Sequence, residues 1–174
     1  GVKTIIDLRT GQEKGGSCSL KNNFNVINIP IATGNMEGVL KALQKNKIKT
    51  DTIYRMVEQM NRDLIIKNRA EFKLLFHALL NKENYPVVIH CSSGKGRTGI
   101  SVALILTALG VNSDDIMQDY RLSNVYFNIP KATRYAYKLP VQSQEAITTL
   151  FSAQEGFLNA AFNEIERNYG DTKT

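Results

Sequence analysis

The stretch Pro86-Val87-Val88-Ile89-His90-Cys91-Ser92-Ser93-Gly94-Lys95-Gly96-Arg97-Thr98-Gly99 decides how this chain folds. Its first five residues, PVVIH, are a short apolar run that reads as a strand. Beyond it, Ile100 to Leu109 is apolar nearly all round, which reads as a central buried helix. The polar and glycine residues between the two therefore turn a strand into a helix N-terminus. Such a turn points several backbone N–H groups at one spot, and the helix dipole adds partial positive charge there. Glycines at 94, 96 and 99 let the backbone approach a ligand closely.

The residue types in this turn point to one chemistry. A nest of N–H groups from residues 92 to 97 suits a tetrahedral oxyanion, with Ser92, Ser93, Gly94, Lys95 and Gly96 as its wall. Arg97 can close it with a bidentate grip on two oxygens. The same positive field lowers the pKa of Cys91, whose thiolate then faces the anion as a nucleophile. Thr98 is placed to donate a hydrogen bond to that thiolate, and His90 to order the loop. The spacing Gly94, Gly96, Gly99 also spells a dinucleotide fingerprint, but Asp114 and Asp115 open a helix where that motif needs the end of a second strand. An ATP-binding loop fails because Gly96 stands where Ser or Thr is required.

Working outward, Thr4 to Leu8 and Asn25 to Pro30 read as strands, and Thr10 to Asn23 as a loop. Thr33 to Thr50 has mixed character. Ile53, Val57, Met60 and Leu64 share one helical face. Asn68 and Glu71 form a capping pair for a helix striped by Phe72, Leu75, Phe76 and Leu79. Ser113 reads as an N-cap for a helix to about Leu122, and Asn124 to Pro140 as irregular. Ser152 and Glu155 form a second capping pair. Phe157, Leu158, Ala161, Phe162 and Ile165 face the core from a last helix that stops at Gly170. Strands alternating with helices predict an α/β fold: a small, largely parallel central sheet flanked by helices.

The 174 residues suit one domain, with an apolar fraction of 43% for its core. No run reaches the length of a membrane span, which predicts a soluble chain, cytoplasmic or exported. The charge of +6 is spread along the chain, which argues for a basic solvated surface rather than a nucleic-acid site. Cys18 and Cys91 are too few for a disulfide framework. With no CxxC or HExxH, and His77 and His90 as the two histidines, no metal and no cofactor are expected.

HCSSGKGRTG (90–99) resembles the signature loop of the protein tyrosine phosphatase superfamily: His-Cys, five residues, Arg, then Ser or Thr. VKTIIDLRTGQE (2–13), DYRLSN (119–124) and QEGFLNAAFNEIERNYG (154–170) are similar to the bacterial, atypical dual-specificity and phosphoinositide phosphatase branch. The resemblance implies one phosphatase domain over 1–174 that lacks a short N-terminal piece. It also implies a cysteinyl-phosphate intermediate on phosphotyrosine, dual-specificity protein or phosphoinositide substrates, with transient contact to anionic lipid. Inositol polyphosphates, as in the phytase-like relatives, are an alternative substrate class. Where that branch places an acid–base Asp before the Arg, this chain has Gly96. Gly-Lys-Gly-Arg is similar to relatives that take their acid from a separate loop. By that analogy Asp51 is the candidate acid, followed by Asp63 and Asp119, with a helix N-cap as the other reading of Asp51. Loss of the acid would alternatively leave a catalytically weak phosphate-binding module. Lys95 reads either as a contact to a further substrate phosphate or as a solvated cation. Arg9 and Glu13 are expected to pin the loop after the first strand, Arg121 to be solvated, and His77 to be structural.

Overall fold

The computed structural model describes residues 1–14, 24–34, 38–39, 41, 43, 49–128 and 140–170. Cys18, most of 33–50 and residues 129–139 lie outside them. Three strands, β1 (Thr4–Asp7), β2 (Asn25–Asn28) and β3 (Val87–His90), form a parallel sheet in the order β2-β1-β3. The α-helices with described bounds are α1 (Thr50–Lys67), α2 (Arg69–Leu80), α3 (Gly96–Ala108), α4 (Ser113–Tyr126), α5 (Val141–Phe151) and α6 (Glu155–Tyr169). The fold is α/β, as the alternation of strands and helices predicts.

All four residues of β1 are buried, because it is the middle strand and helices need its apolar faces. The register sets Ile6 beside Ile27 and Ile89, and Asp7 beside Asn28 and His90. The three strands thus end at one level, and the chain leaving each of them gathers there. Ile6, Leu8, Ile29 and Ile31 join Leu64, Leu75, Ile100 and Leu158 in the main core. A second cluster packs Val39, Leu43 and Ile53 against Ala146, Ile147 and Leu150 of α5.

Several local expectations are corrected. β2 stops at Asn28, although Ile29 and Ile31 beyond it are fully buried. Asn68 does not cap α2; its side chain donates to Leu64 O (2.9 Å) and Ala32 O (3.3 Å) and accepts from Ala32 N (3.0 Å). A buried amide with acceptors on two segments satisfies more groups there than one helix end would. Asn112, not Ser113, caps α4, accepting from Asp115 N at 2.9 Å. α4 runs on to Tyr126, four residues past Leu122, so Asn124 is helical. Ser152 ends α5 instead of opening α6, whose N-cap is Gln154. The apolar run from Ile100 to Leu109 is only partly covered, with Leu109, just past the end of α3, 73% exposed, and His77 is exposed. Gly170 ends α6 with φ of 86°, in line with its reading as a stop.

Candidate active site

β3 delivers Cys91 to the level where the strands end, and α3 begins five residues later at Gly96. Gly94 has φ of 68°, a left-handed conformation that glycine adopts without strain and that lets the loop curl back. Gly99 is required for a different reason: a Cβ there would lie 2.7 Å from the ring of buried Tyr120. Together these choices wrap residues 91–97 around the start of α3.

Cys91, Ser92, Ser93, Lys95, Gly96 and Arg97 all line one cavity of about 680 Å³. Cys91 is 6% exposed. Burial pushes its thiol up, but the Thr98 hydroxyl and N–H, the Arg97 charge and the Ser93 N–H outweigh it and favour the thiolate. The Thr98 hydroxyl is buried beside the sulfur and is the largest of the groups that favour the thiolate. His90 Nδ1 lies 3.1 Å from the Cys91 carbonyl oxygen and can donate to it. Its Nε2 lies 3.7 Å from Asp7 Oδ1.

Arg97 is held from three sides. Nη1 donates to Leu8 O and Ile31 O, both at 3.2 Å, the carbonyls just past β1 and β2. Both terminal nitrogens bind Glu13, at 2.7 Å (Nη1–Oε2) and 2.5 Å (Nη2–Oε1). Glu13 also accepts from the Ser92 hydroxyl (2.6 Å) and from Thr10 N (2.8 Å). The Arg97 guanidinium holds the Glu13 carboxyl far below the usual carboxylate range. Burial acts against the Arg97 charge, but Glu13 and the Cys91 thiolate restore it and raise its pKa. Glu13 is therefore more than a pin for its own loop. The sequence signal that could have found it is an acidic residue six positions after Asp7, in a turn that leaves the sheet beside the anion loop.

The other expected residues are placed as follows. Asp51 is exposed in the first turn of α1 and does not line the cavity, whereas Val57, Met60, Asn61 and Leu64 of the same helix do. Helical pitch is the reason: Ile53 is fully buried in the second cluster, and Asp51 is carried outward. Asp63 is bound by Lys67 (2.6 Å) and Gln59 (2.8 Å), and Asp119 is exposed; neither lines the cavity. Among the described residues Glu13 is the one carboxylate on its wall. Lys95 is 8% exposed, which overturns its reading as a solvated cation. Arg9 chelates Asp7, with Nε–Oδ1 and Nη2–Oδ2 both 3.0 Å, and does pin the strand end. Arg121 pairs with Glu155 at 2.5 Å on the surface. Groups of acidic, His or Cys residues able to hold a metal are absent among the described residues. None of the described helices is long and apolar enough to cross a membrane.

Known proteins are similar to this chain in sequence. A Cupriavidus necator protein named by inference as a tyrosine-protein phosphatase is 26% identical over 98% of this chain and 62% of its own length. A tyrosine-protein phosphatase of Nostoc commune is 28% identical over 72% of this chain and 42% of its own. The triple specificity protein phosphatase PtpB of Mycobacterium tuberculosis is 38% identical over 42% of this chain and 27% of its own. The chain thus spans less than two thirds of the length of these curated relatives. The profile of the tyrosine phosphatase family matches residues 1–174 throughout, around the same loop that gathers Cys91 and Arg97, and the chain belongs to that family.

Proposed function

We propose that this chain hydrolyses phosphate monoesters through a cysteinyl-phosphate intermediate. The observation that carries the reading is the sharing of one cavity by the Cys91 thiolate and an Arg97 fixed by Glu13 at the start of α3. Cys91 Sγ forms the S–P bond as the P–O bond to the leaving group breaks. The N–H groups of residues 92–97 and the guanidinium hold the three equatorial oxygens. The leaving oxygen takes a proton from solvent, and a water molecule then breaks the S–P bond, releasing hydrogen phosphate, the thiolate and a proton to solvent.

The cavity also has an apolar wall of Val57, Met60, Leu64, Leu150, Phe151 and Phe157. That wall supports esters with a substantial organic group, such as phosphotyrosine or a phosphoinositide, over inorganic polyphosphate. The relatives' names, tyrosine-protein and triple specificity phosphatase, support phosphorylated protein as substrate.

One observation favours a second reading, a phosphate-binding module: Glu13 is committed to Arg97 and cannot protonate a leaving group at neutral pH. Turnover of p-nitrophenyl phosphate in EDTA separates the two, because its leaving group departs readily without an acid. Metal-independent hydrolysis that is blocked by vanadate and abolished by Cys91→Ser supports the enzyme. Phosphate-dependent thermal stabilisation with no turnover supports the module.

A further inference from the structure

The Lys95 ammonium has no task in the chemistry above. Its ammonium is buried, yet no carboxylate pairs with it among the described residues. Nζ instead donates to Leu150 O at 2.9 Å and Ser152 O at 3.2 Å, and lies 5.7 Å from the centre of the Phe151 ring. These carbonyls belong to the last turn of α5 and its C-cap, where helix carbonyls lack intrahelical partners and the dipole is negative. Lys95 is thus a C-terminal cap supplied by a distant part of the chain.

The receiving end of this strut is itself fixed. Asn124 of α4 donates to Ala153 O at 2.8 Å and accepts from Ala153 N at 2.6 Å. Ser152 Oγ donates to Thr149 O at 2.9 Å. Residues 150–153 therefore form a firm wall, and Lys95 ties the anion loop to it across the cavity that both line.

We propose that Lys95 is a positioning residue that holds the anion cup against the end of α5, so that phosphate-ester affinity depends on its ammonium. The proposal rests on the phosphatase reading for its substrate but not for its test. Burial pulls the Lys95 amine down to about 8, opposed by the Cys91 thiolate. The charged or titratable groups on the surrounding walls are Cys91 and Arg97 of the loop, Glu13 and Tyr120; Leu150, Phe151 and Ser152 bring none. Glu13 and Arg97 hold one another charged through this range, and burial moves the Tyr120 phenol up and away from it. Lys95 is then the group that loses its charge near pH 8, and with it the hold on α5.

The test compares the wild-type chain with Lys95→Met, which keeps length without charge, and Lys95→Arg, which stays charged. KM for p-nitrophenyl phosphate is measured from about pH 6 to about pH 9.5, where the substrate is a dianion. In parallel, the sulfate-induced rise in thermal midpoint reports the cup without any turnover. Wild-type KM is expected to climb above pH 8 and level off about tenfold higher by about pH 9.5, at near-constant kcat, with the sulfate effect fading in step. Lys95→Met is expected to show a KM raised about tenfold near pH 7 and flat through 8, with a sulfate-induced rise in thermal midpoint smaller than that of the wild type, each measured against its own midpoint without sulfate. Lys95→Arg moves the limb out of range. A Lys95→Met chain that keeps wild-type KM or sulfate response, or that retains the alkaline limb, overturns the proposal. A wild-type chain with no turnover but a Lys95-dependent sulfate response defeats the enzyme reading and leaves the proposal standing.

Discussion

Glu13 grips Arg97 by both carboxylate oxygens, at 2.7 and 2.5 Å, and spends one of them again on the Ser92 hydroxyl at 2.6 Å. One acidic residue from the turn after β1 thereby fixes two residues of the loop after β3. The pair leaves the Arg97 side that faces Cys91 as the part available to an anion.

Glu13→Gln keeps the shape but offers one acceptor oxygen in place of two charged ones. The guanidinium should lose its fixed orientation, lowering kcat/KM by about 10- to 100-fold, mostly through KM. Steady-state kinetics on p-nitrophenyl phosphate checks this. Wild-type kinetics in the variant would mean that the carbonyls of Leu8 and Ile31 suffice to orient Arg97.

The same pair links stability to pH. The Glu13 carboxyl titrates lower in the folded chain than its ordinary 4.5, so its contribution is fully present above that value and is lost as pH falls. Burial raises Asp7, but its hydrogen bonds from Arg9 prevail and lower it, so its contribution has the same sign. Urea midpoints should fall between about pH 5 and about pH 3, and Glu13→Gln should flatten that slope.

Cys91 should react as a thiolate at acidic pH, because Thr98, Arg97 and Ser93 outweigh its burial. Iodoacetate at about pH 6 should alkylate it rapidly, and phosphate or vanadate should protect it. Thr98→Val removes the hydroxyl and should slow this labelling several-fold at that pH. Mass-spectrometric mapping gives the rate at Cys91 directly.

Gly99→Ala places a Cβ against the Tyr120 ring, in a site where Tyr120 is 4% exposed and has little room to retreat. The expected loss is about 1–3 kcal/mol in urea unfolding. Because Tyr120 also lines the cavity, KM should rise in the same variant. A fully stable variant would show that the α3–α4 contact gives way cheaply.

Asn68→Ala should cost about 1–3 kcal/mol, since it strips partners from the Ala32 N–H and carbonyl and from Leu64 O. Ala32 lines the cavity, so phosphate-dependent stabilisation should weaken with it. Differential scanning fluorimetry with and without phosphate measures both.

The sequence by itself determined the strand-to-helix turn at 90–99, the α/β class and the candidate phosphate loop. Each of these rests on local physics: apolar period, glycine placement and the amides of a helix N-terminus, all readable within about ten residues. The tertiary structure alone decided what surrounds that loop. Glu13 meets Arg97 across 84 positions, and Lys95 meets Leu150 and Ser152 across 55 and 57. No periodicity links such residues; the register that ends three strands at one level brings Glu13 in, and the packing of α5 and α6 against α1 brings the Leu150–Ser152 wall. The same cause accounts for Asp51, Asn68 and Ser152, whose capping chemistry was legible but whose partners or exposure were set by the packing of α1, α2 and α5. A side chain's type states what it can bind, and only the folded arrangement states what is within reach.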